Sequence, residues 1–407
     1  MRALRVCAPV LLAVVALFVG ACGGDDGGGG EDSSEPIRIG ASLPLTGEFS
    51  EPGKAARQGY QVWQKITNDK GGLLGRKVEL TIRDDASDQN TVVADYNALI
   101  SRSKVDLLLG TFSSLLNIPA STVAERNRMV YVEPAGGAPE IFDRGYKYLF
   151  FAQQATADKQ GDLFAQYILD LPAAERPKTA AYPSLDDPFA LPVVNGIREK
   201  FEAAGIRTVY KTTYASENAN FDPIVSRVKS ANPDVLVHGA QFADGVGFAR
   251  ALDKVGFDPD WFFQTNAPSF ADQYSKGIGE ENTEGTFYAV SWTAEAKTPG
   301  NEEFLRVHEE LFGAGEPAED AADAFAAAQV LEAAVKAVGS IDDQKKIADW
   351  IHQNQVETIL GTLRWDERGA PQGEFLIGQW QNGKSEIVLP EDVATSDTII
   401  TPGASGA

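Results

Sequence analysis

Short apolar segments alternate with longer amphipathic segments along most of this chain, and that alternation constrains the fold more than any other feature. The short segments have the length and apolar content of buried strands: IRIGASL (37–43), KVELTIRDD (77–85), VDLLLGT (105–111), MVYVEP (129–134), KTAAYPS (178–184), TVYKTTY (208–214), DVLVHGA (234–240) and GTFYAV (285–290). The longer segments follow a helical period: 53–69, 158–171, 191–205, 222–232, 301–313, 319–339 and 343–353. Repeated strand, helix, strand order predicts an α/β fold of parallel sheets with helices on both faces.

The alternation occurs twice, once before about residue 152 and again after about residue 177. A chain of 407 residues is too long for one typical domain. We therefore expect two doubly wound parallel-sheet lobes. Residues 359–389 have the pattern of a strand followed by a closing hairpin, and Asn382-Gly383 is typical of a type I′ turn.

The amino terminus has the pattern of a secretory signal. Arg2 and Arg5 precede an apolar run over residues 8–21. This run is shorter than the roughly 20 residues that span a bilayer, which favours cleavage over anchoring as a helix. Residues 1–21 are therefore predicted to be a signal peptide, which sends the folded body out of the cytoplasm.

The segment Val19-Gly20-Ala21-Cys22 resembles the bacterial lipobox, in which a peptidase cuts before a lipidated cysteine. By that resemblance the mature chain begins at lipid-modified Cys22, and the glycine-rich residues 22–36 form a flexible tether. The implied location is extracytoplasmic, lipid-anchored to the outer face of the bacterial cell membrane. The alternative is an ordinary signal peptide with an incidental cysteine.

The charge and cysteine content exclude several kinds of protein. Thirty-six basic against 58 acidic residues give a net charge of −22, which argues against nucleic acid as a partner because phosphate binding needs clustered Lys and Arg. The chain has 2 cysteines, Cys7 and Cys22, and neither lies in the predicted folded body. A disulfide, a thiol nucleophile or a thiolate metal site is therefore not expected there.

No enzyme motif is visible, so no catalytic residue is predicted. The chain lacks a G-x-S-x-G elbow, an H-E-x-x-H pair and a P-loop. Its histidines, His238, His308 and His352, lie on separate predicted elements, the last two at exposed helix positions. Its acid clusters lack the spacing of an EF-hand. We predict no metal and no cofactor, and an exported hydrolase is the least favoured function.

Ligands of open α/β sheets bind beyond the carboxyl ends of the strands, so the loops there hold the candidate site residues. In the first half, Ser113 and Ser114 begin a helix whose free amides suit an anion, and the loop Ala135, Gly136, Gly137 allows close backbone approach. In the second half, Phe189, Gln241 and Phe242 follow strands. Each residue alone also fits a cap, a turn or a packing role.

Residues 38–88, with GTFSS (110–114), EPAGGAPEIFDRGYKYLF (133–150) and ILGTLRWDERG (359–369), resemble the leucine/isoleucine/valine-binding family, the type I periplasmic solute-binding proteins of ABC transporters. The likeness covers residues 37–390. It implies two lobes joined by three crossovers near residues 152, 290 and 365. The implied lobes are 37–152 with 291–364 and 153–290 with 365–395, followed by a tail over 396–407. The ligand is clamped by hinge closure and delivered to an ABC permease.

The resemblance also implies roles at individual positions. Ser114 matches a serine that holds the ligand carboxylate, and Gly136 matches a position that contributes backbone. Gly137 stands where amino-acid binders usually have a threonine for the ammonium group. Asn266 stands near the expected second-lobe carboxylate, and Phe49 is the aromatic residue closest to the one expected near Pro52.

The missing ammonium partners leave the ligand open between two classes. Burying an ammonium without a carboxylate is costly, unless Glu133 or Asp187 supplies the charge. An aromatic carboxylate or a small amide without an α-ammonium is the alternative, and Phe49, Phe189 and Phe242 suit an aromatic body.

We therefore predict the substrate-binding lipoprotein of an ABC importer, which captures an amino acid of branched-chain type or a similar small carboxylate. A sensor that reports the same ligand to a receptor is a further alternative, since fold alone does not decide function.

Overall fold

The computed structural model describes residues 35–216 and 220–401. The strands are β1 Ile37–Leu43, β2 Val78–Asp84, β3 Leu107–Leu109, β4 Tyr131–Glu133, β5 Leu149–Phe151, β6 Thr179–Leu185, β7 Arg207–Tyr214, β8 Val235–His238, β9 Trp261–Gln264, β10 Thr286–Val290, β11 Val356–Thr358, β12 Gly361–Leu363, β13 Leu376–Gln381 and β14 Lys384–Leu389. The helices are α1 Ser50–Asp69, α2 Gln89–Ser101, α3 Ser114–Asn127, α4 Pro139–Phe142, α5 Asp162–Asp170, α6 Ala190–Ala203, α7 Asp222–Ala231, α8 Phe242–Val255, α9 Ala271–Ile278, α10 Asn301–Phe312, α11 Glu319–Val338 and α12 Gln344–Gln353.

Part of what the sequence predicts lies outside the described ranges. This holds for the signal peptide, for Cys22 with the tether up to residue 34, and for residues 402–407 of the tail. Within residues 35–216 and 220–401, no helix combines the length and the apolar content needed to cross a bilayer.

The first sheet has the strand order β2-β1-β3-β4-β5, and all of its pairings are parallel. Successive side chains of a strand point to opposite faces, and both faces of this sheet are covered. In β3, Leu107 and Leu109 pack into one apolar core with α1, α10, α11 and α12, while Leu108 packs into another with α2 and α3. Strands buried on both faces explain why the apolar runs are continuous rather than alternating.

The second sheet has the order β14-β13-β10-β9-β8-β6-β7. Its strands β6 to β10 run parallel, whereas β13 is antiparallel to both β10 and β14. The antiparallel edge is the closing hairpin that the sequence predicts within residues 359–389, because a hairpin joins strands that must run in opposite directions. Asn382 and Gly383 have φ of 52° and 75°, as a type I′ turn requires, so that predicted turn is confirmed.

The chain passes between the two sheets three times: after β5, after β10, and between β12 and β13. The predicted fold class, two doubly wound lobes with three crossovers, is confirmed. The residue boundaries of the lobes stay a prediction.

Several short or weakly patterned elements were absent from the sequence prediction. These are β5, β9, α2 and α8; the strands among them have only three and four residues, too few to show a period. One burial prediction is also wrong. His308 is 6% exposed, because its ring packs near those of Phe304 and Phe312, with centroids 6.0 and 5.0 Å away.

Candidate functional site

A cleft lies where the carboxyl ends of the two parallel sheets face each other. The centre of a water-sized molecule can occupy about 60 Å³ of it, and the total space between the atoms, open solvent included, is about 570 Å³. Residues that follow β3, β4 and β5 form one wall, and residues that follow β6, β8 and β9 form the other. This is the position at which open α/β sheets bind ligands.

Six of the nine predicted ligand-binding residues line this cleft. They are Ser113, Ala135, Gly137, Phe189, Gln241 and Asn266. They come from both sheets, as the family resemblance implies. The remaining three, Ser114, Gly136 and Phe49, are not among the residues that line it.

The side chain of Ser114 is fully buried and serves the fold. Its Oγ accepts a hydrogen bond of 3.0 Å from the backbone N–H of Ala138, which ties the start of α3 to the loop after β4. The neighbouring Ser113 faces the cleft instead. Because the two serines are adjacent and both precede a helix, their sequence context does not separate these roles.

One amide of the loop after β4 is turned towards a buried carboxyl group. The N–H of Ala135 donates to Glu133 Oε2 at 2.9 Å. Burial raises the pKa of Glu133 well above its usual value despite this bond. Glu133 is fully buried and does not line the cleft, so it does not supply charge there.

Two predicted aromatic residues pack into the protein. Phe49 is 4% exposed and lies against Phe112, with ring centroids 5.8 Å apart. Phe242 lies against Phe270, with centroids 4.9 Å apart. The aromatic residues that do line the cleft are Phe112, Phe151, Phe189 and Phe375, of which the sequence predicted only Phe189.

Ser113 and Asn266 face the cleft from opposite sheets with an unusual backbone. Their φ values are 68° and 58°, in the left-handed region where non-glycine residues are uncommon and where strain is often kept for function. The Oγ of Ser113 accepts from the N–H of Leu116 at 3.4 Å, which leaves its hydroxyl proton free to donate. The Oδ1 of Asn266 is buried and has no hydrogen-bond partner among the described residues.

A threonine at Gly137, which the resemblance leads one to expect, would be tightly placed. A Cβ added there would lie 3.3 Å from a Phe151 ring carbon and 3.3 Å from the backbone nitrogen of Ala157. Contacts this short require a neighbour to move. The other candidate for the missing charge, Asp187, caps α6 by accepting from the N–H groups of Phe189 and Ala190 at 2.8 and 2.9 Å.

The carboxyl groups of the cleft come from a different place: Glu319, Asp320 and Asp323, at the start of α11. Asp320 and Asp323 are 7% and 3% exposed, and Glu319 is partly buried. Residues i and i+4 share one face of a helix, so the order E-D-x-x-D could have indicated a carboxyl pair. The sequence prediction used this segment only as a helix.

Hydrogen bonds join two of these carboxyl groups to the connections between the sheets. Asp323 Oδ2 accepts from Gln153 Nε2 at 2.6 Å, just after β5. Ser291, just after β10, places its Oγ 2.7 Å from Glu319 Oε1 and 2.6 Å from Asp323 Oδ1. The first turn of α11 is thus fastened to two of the three crossing segments.

Burial raises the pKa of all three acids. The pKa of Asp320 rises to about 8, first because burial removes water from the charged form and second because Glu319 is close. The same two causes raise the pKa of Asp323, whose neighbours also include Asp320. The pKa of Glu319 is raised by burial and lowered in part by its bonds to Ser291.

We predict that Asp320→Asn stabilises the ligand-free protein near about pH 8. An unfolded aspartate ionises near its ordinary pKa, whereas folded Asp320 holds its proton up to about pH 8. Between these values the folded state binds more protons, so wild-type stability falls as pH rises. We expect the variant to melt roughly 1–3 °C higher at the upper end of this window, with a smaller difference at about pH 5.

Thermal unfolding followed by circular dichroism across this pH range measures the effect. Asp392→Asn is the matched control, because Asp392 is exposed and does not line the cleft. Equal changes in the two variants, or a difference that grows towards low pH, would contradict the prediction.

Comparisons with known proteins agree with this geometry. A family model described as periplasmic binding protein matches residues 36–385. The chain is 26% identical over 355 residues to Leu/Ile/Val-binding protein homolog 3 of Brucella melitensis, covering 86% of this chain and 92% of the relative.

Solved structures share the fold. The leucine-binding protein of Thermotoga maritima has a TM-score of 0.78 and 22% identity, covering 88% of this chain and 100% of that chain. A solute-binding protein of an ABC transporter from R. palustris, solved in complex with benzoate, has a TM-score of 0.76 and 19% identity, covering 90% of this chain and 99% of that chain. The chain therefore belongs to the periplasmic binding protein family, as a type I member related to the leucine/isoleucine/valine-binding proteins.

Proposed function

We propose that this chain is the substrate-binding lipoprotein of an ABC importer, which captures an amino acid or a similar small carboxylate by hinge closure and delivers it to a permease. The observation that carries the proposal is the cleft itself. Its walls come from two sheets that are joined by three crossing segments, so a rotation about these segments opens and closes it. The protein would act by binding and not by catalysis.

One hydrogen bond already spans the gap between the two sheets. The Oγ of Ser216, which follows β7, donates to Glu48 Oε1, which follows β1, at 2.6 Å. Both residues lie at carboxyl ends of strands. A contact of this kind forms only when the two lobes approach each other, which supports a closed arrangement around a small ligand.

The relatives support two ligand classes. The names of the Brucella and Thermotoga proteins refer to leucine or to leucine, isoleucine and valine, which favours an amino acid of the branched-chain type. The R. palustris protein was solved with benzoate. Four phenylalanine rings in the cleft of this chain favour an aromatic carboxylate as the second candidate.

We predict that ligand binding brings the two lobes closer together. Residues 36–407 contain no cysteine, so fluorophores can be attached to Glu140→Cys and Asn195→Cys, which line a hollow between α4 and α6, one helix from each lobe. We expect saturating L-leucine or benzoate to raise energy transfer between them, as measured by fluorescence.

The control pair, Glu140→Cys and Arg126→Cys, lies on one side of the cleft, on α4 and α3, so its energy transfer is expected to stay constant. If calorimetry shows that a ligand binds while both pairs remain unchanged, closure is excluded. If neither ligand binds, the proposed ligand class is wrong.

The two serines at the start of α3 should differ in effect. Ser113→Ala removes a hydroxyl that faces the cleft, so we expect affinity for the ligand carboxylate to fall by about tenfold or more. Its bond to the N–H of Leu116 at the start of α3 is long, 3.4 Å, so we expect the loss of stability to stay near the lower end of the about 0.5–2 kcal/mol of a helix cap. Ser114→Ala leaves the buried N–H of Ala138 unpaired, which should cost about 1–3 kcal/mol of stability. Calorimetry and thermal unfolding of both variants test the assignment, and the reverse pattern would refute it.

The lipid anchor is tested by Cys22→Ser in the full chain. Cys22 is the cysteine of the segment that resembles a lipobox, and Cys7 lies within the predicted signal peptide. We expect Cys22→Ser to move the protein from the detergent phase to the aqueous phase in phase partitioning, while Cys7→Ser leaves it in the detergent phase. Unchanged partitioning of the Cys22 variant would contradict lipidation.

A further inference from the structure

One carboxyl group in the cleft has no side-chain partner among the residues that the structure describes. Asp320 is 7% exposed, and its own backbone amide is the one hydrogen-bond donor found for its carboxyl group within 35–216 and 220–401. A carboxyl group buried to this degree with no side-chain partner is costly. Its position on the wall of the binding cleft points to a partner that arrives with the ligand.

Further oxygen acceptors face the cleft beside Asp320. The buried Oδ1 of Asn266 has no donor among the described residues, and Glu319 and Asp323 add two further carboxyl groups. Among the residues that the structure describes, the cleft is lined by hydroxyl and amide groups but by no Lys, Arg or His. Carboxyl oxygens that converge without a basic side chain suit a ligand with N–H donors.

The immediate surroundings of Glu319 do not supply a strong counter-charge. The hollow that adjoins the cleft on the far side of this residue is bordered by four more acids, Asp272, Glu295, Glu316 and Glu386, and by one base, Lys384. The three acids of α11 are also not arranged for a metal, since no group of at least three His, Cys, Asp or Glu residues in 35–216 and 220–401 could hold one. An organic cation fits this arrangement better than a metal ion.

The hydroxyl of Ser291 shows that this acid cluster retains a proton. Its Oγ lies within hydrogen-bond distance of carboxyl oxygens from both Glu319 and Asp323. A serine hydroxyl has one proton to donate, so two full hydrogen bonds require a second proton on one of the carboxyl groups. The raised pKa of each acid agrees with this count.

We propose that the ligand carries a positively charged nitrogen, that Asp320 holds this nitrogen with Glu319 and Asp323 beside it, and that its capture releases a proton from these three acids. The inference rests on the proposed ligand-binding function and names the class of ligand. When the cation enters, an N–H···O bond forms at Asp320, and an acid O–H bond of the cluster breaks, with the proton passing to solvent. A positive neighbour favours the ionised form of each carboxyl group.

The test compares matched compounds that share a hydrocarbon skeleton and differ in their charged groups. The first set is L-leucine, isopentylamine and isocaproate; the second is L-phenylalanine, phenethylamine and hydrocinnamate. Calorimetry of the chain 36–407 at neutral pH, in phosphate and in Tris, gives the affinity and the number of protons exchanged, because these buffers differ in ionisation enthalpy. We expect a compound with a charged nitrogen to bind and to release up to about one proton.

Asp320→Asn should weaken binding of that compound by about tenfold or more, since hydrogen bonds to charged groups are worth about 1.5–3 kcal/mol. Asp392→Asn, an exposed acid outside the cleft, should leave affinity and proton release unchanged. The proton count on the wild-type chain tests the proposal even if Asp320→Asn does not fold.

The outcomes separate this inference from the proposed function. If isocaproate or hydrocinnamate binds and the nitrogen-bearing compounds do not, or if binding takes up protons, the inference is overturned while a carboxylate-binding function stands. If the amines bind and the amino acids and carboxylates do not, the inference stands and the proposed ligand class is wrong. If none of the four nitrogen-bearing compounds binds at millimolar concentration, the inference is also overturned.

Discussion

The arrangement of this protein depends on parallel strands whose carboxyl ends face each other across a gap. A parallel sheet requires a crossover connection between successive strands. In each sheet these connections begin at the carboxyl ends of the strands, which all lie at the same end of the sheet. The loops after β3, β4 and β5 therefore meet those after β6, β8 and β9. Because the carboxyl ends of the two sheets face each other, residues that are far apart in the chain form the two walls of one cleft.

The acids of α11 are bonded to the connections between the sheets. Asp323 is bonded to Gln153, and Glu319 and Asp323 both contact Ser291. Gln153 and Ser291 follow the last strand before two of the three crossings, so this cluster is held by the segments about which the lobes would turn on the proposed function. Asp320, on the same turn of helix, faces the cleft without such a bond and is free to meet a ligand.

The cleft combines an aromatic wall with unpaired acceptors. Phe112, Phe151, Phe189 and Phe375 offer apolar surface, while Asn266 and Asp320 offer oxygen atoms. The phenylalanine rings suit a flat apolar part of a ligand, and the oxygen atoms suit a charged nitrogen. The fold that creates the cleft is shared with the leucine-binding protein of Thermotoga maritima and with the protein solved with benzoate. On the proposed function, the side chains that α11 adds would distinguish the ligand of this chain.

The order of strands and helices, the paired lobes and the type I′ turn followed from the sequence, because hydrophobic period and turn residues act over a few neighbouring positions. The same local signals located the loops that carry Ser113, Phe189 and Gln241. Asn266 was found only through the family resemblance, because the short strand before it was not predicted. They did not separate Ser113 from Ser114, since a helix start orients two adjacent side chains differently only once it is packed. Nor did these local signals predict that Asp320, which lies 207 residues after Ser113 in the chain, would line the cleft. Only the tertiary structure decides this, because α11 returns to the first sheet and places its carboxyl groups beside the loops of the cleft.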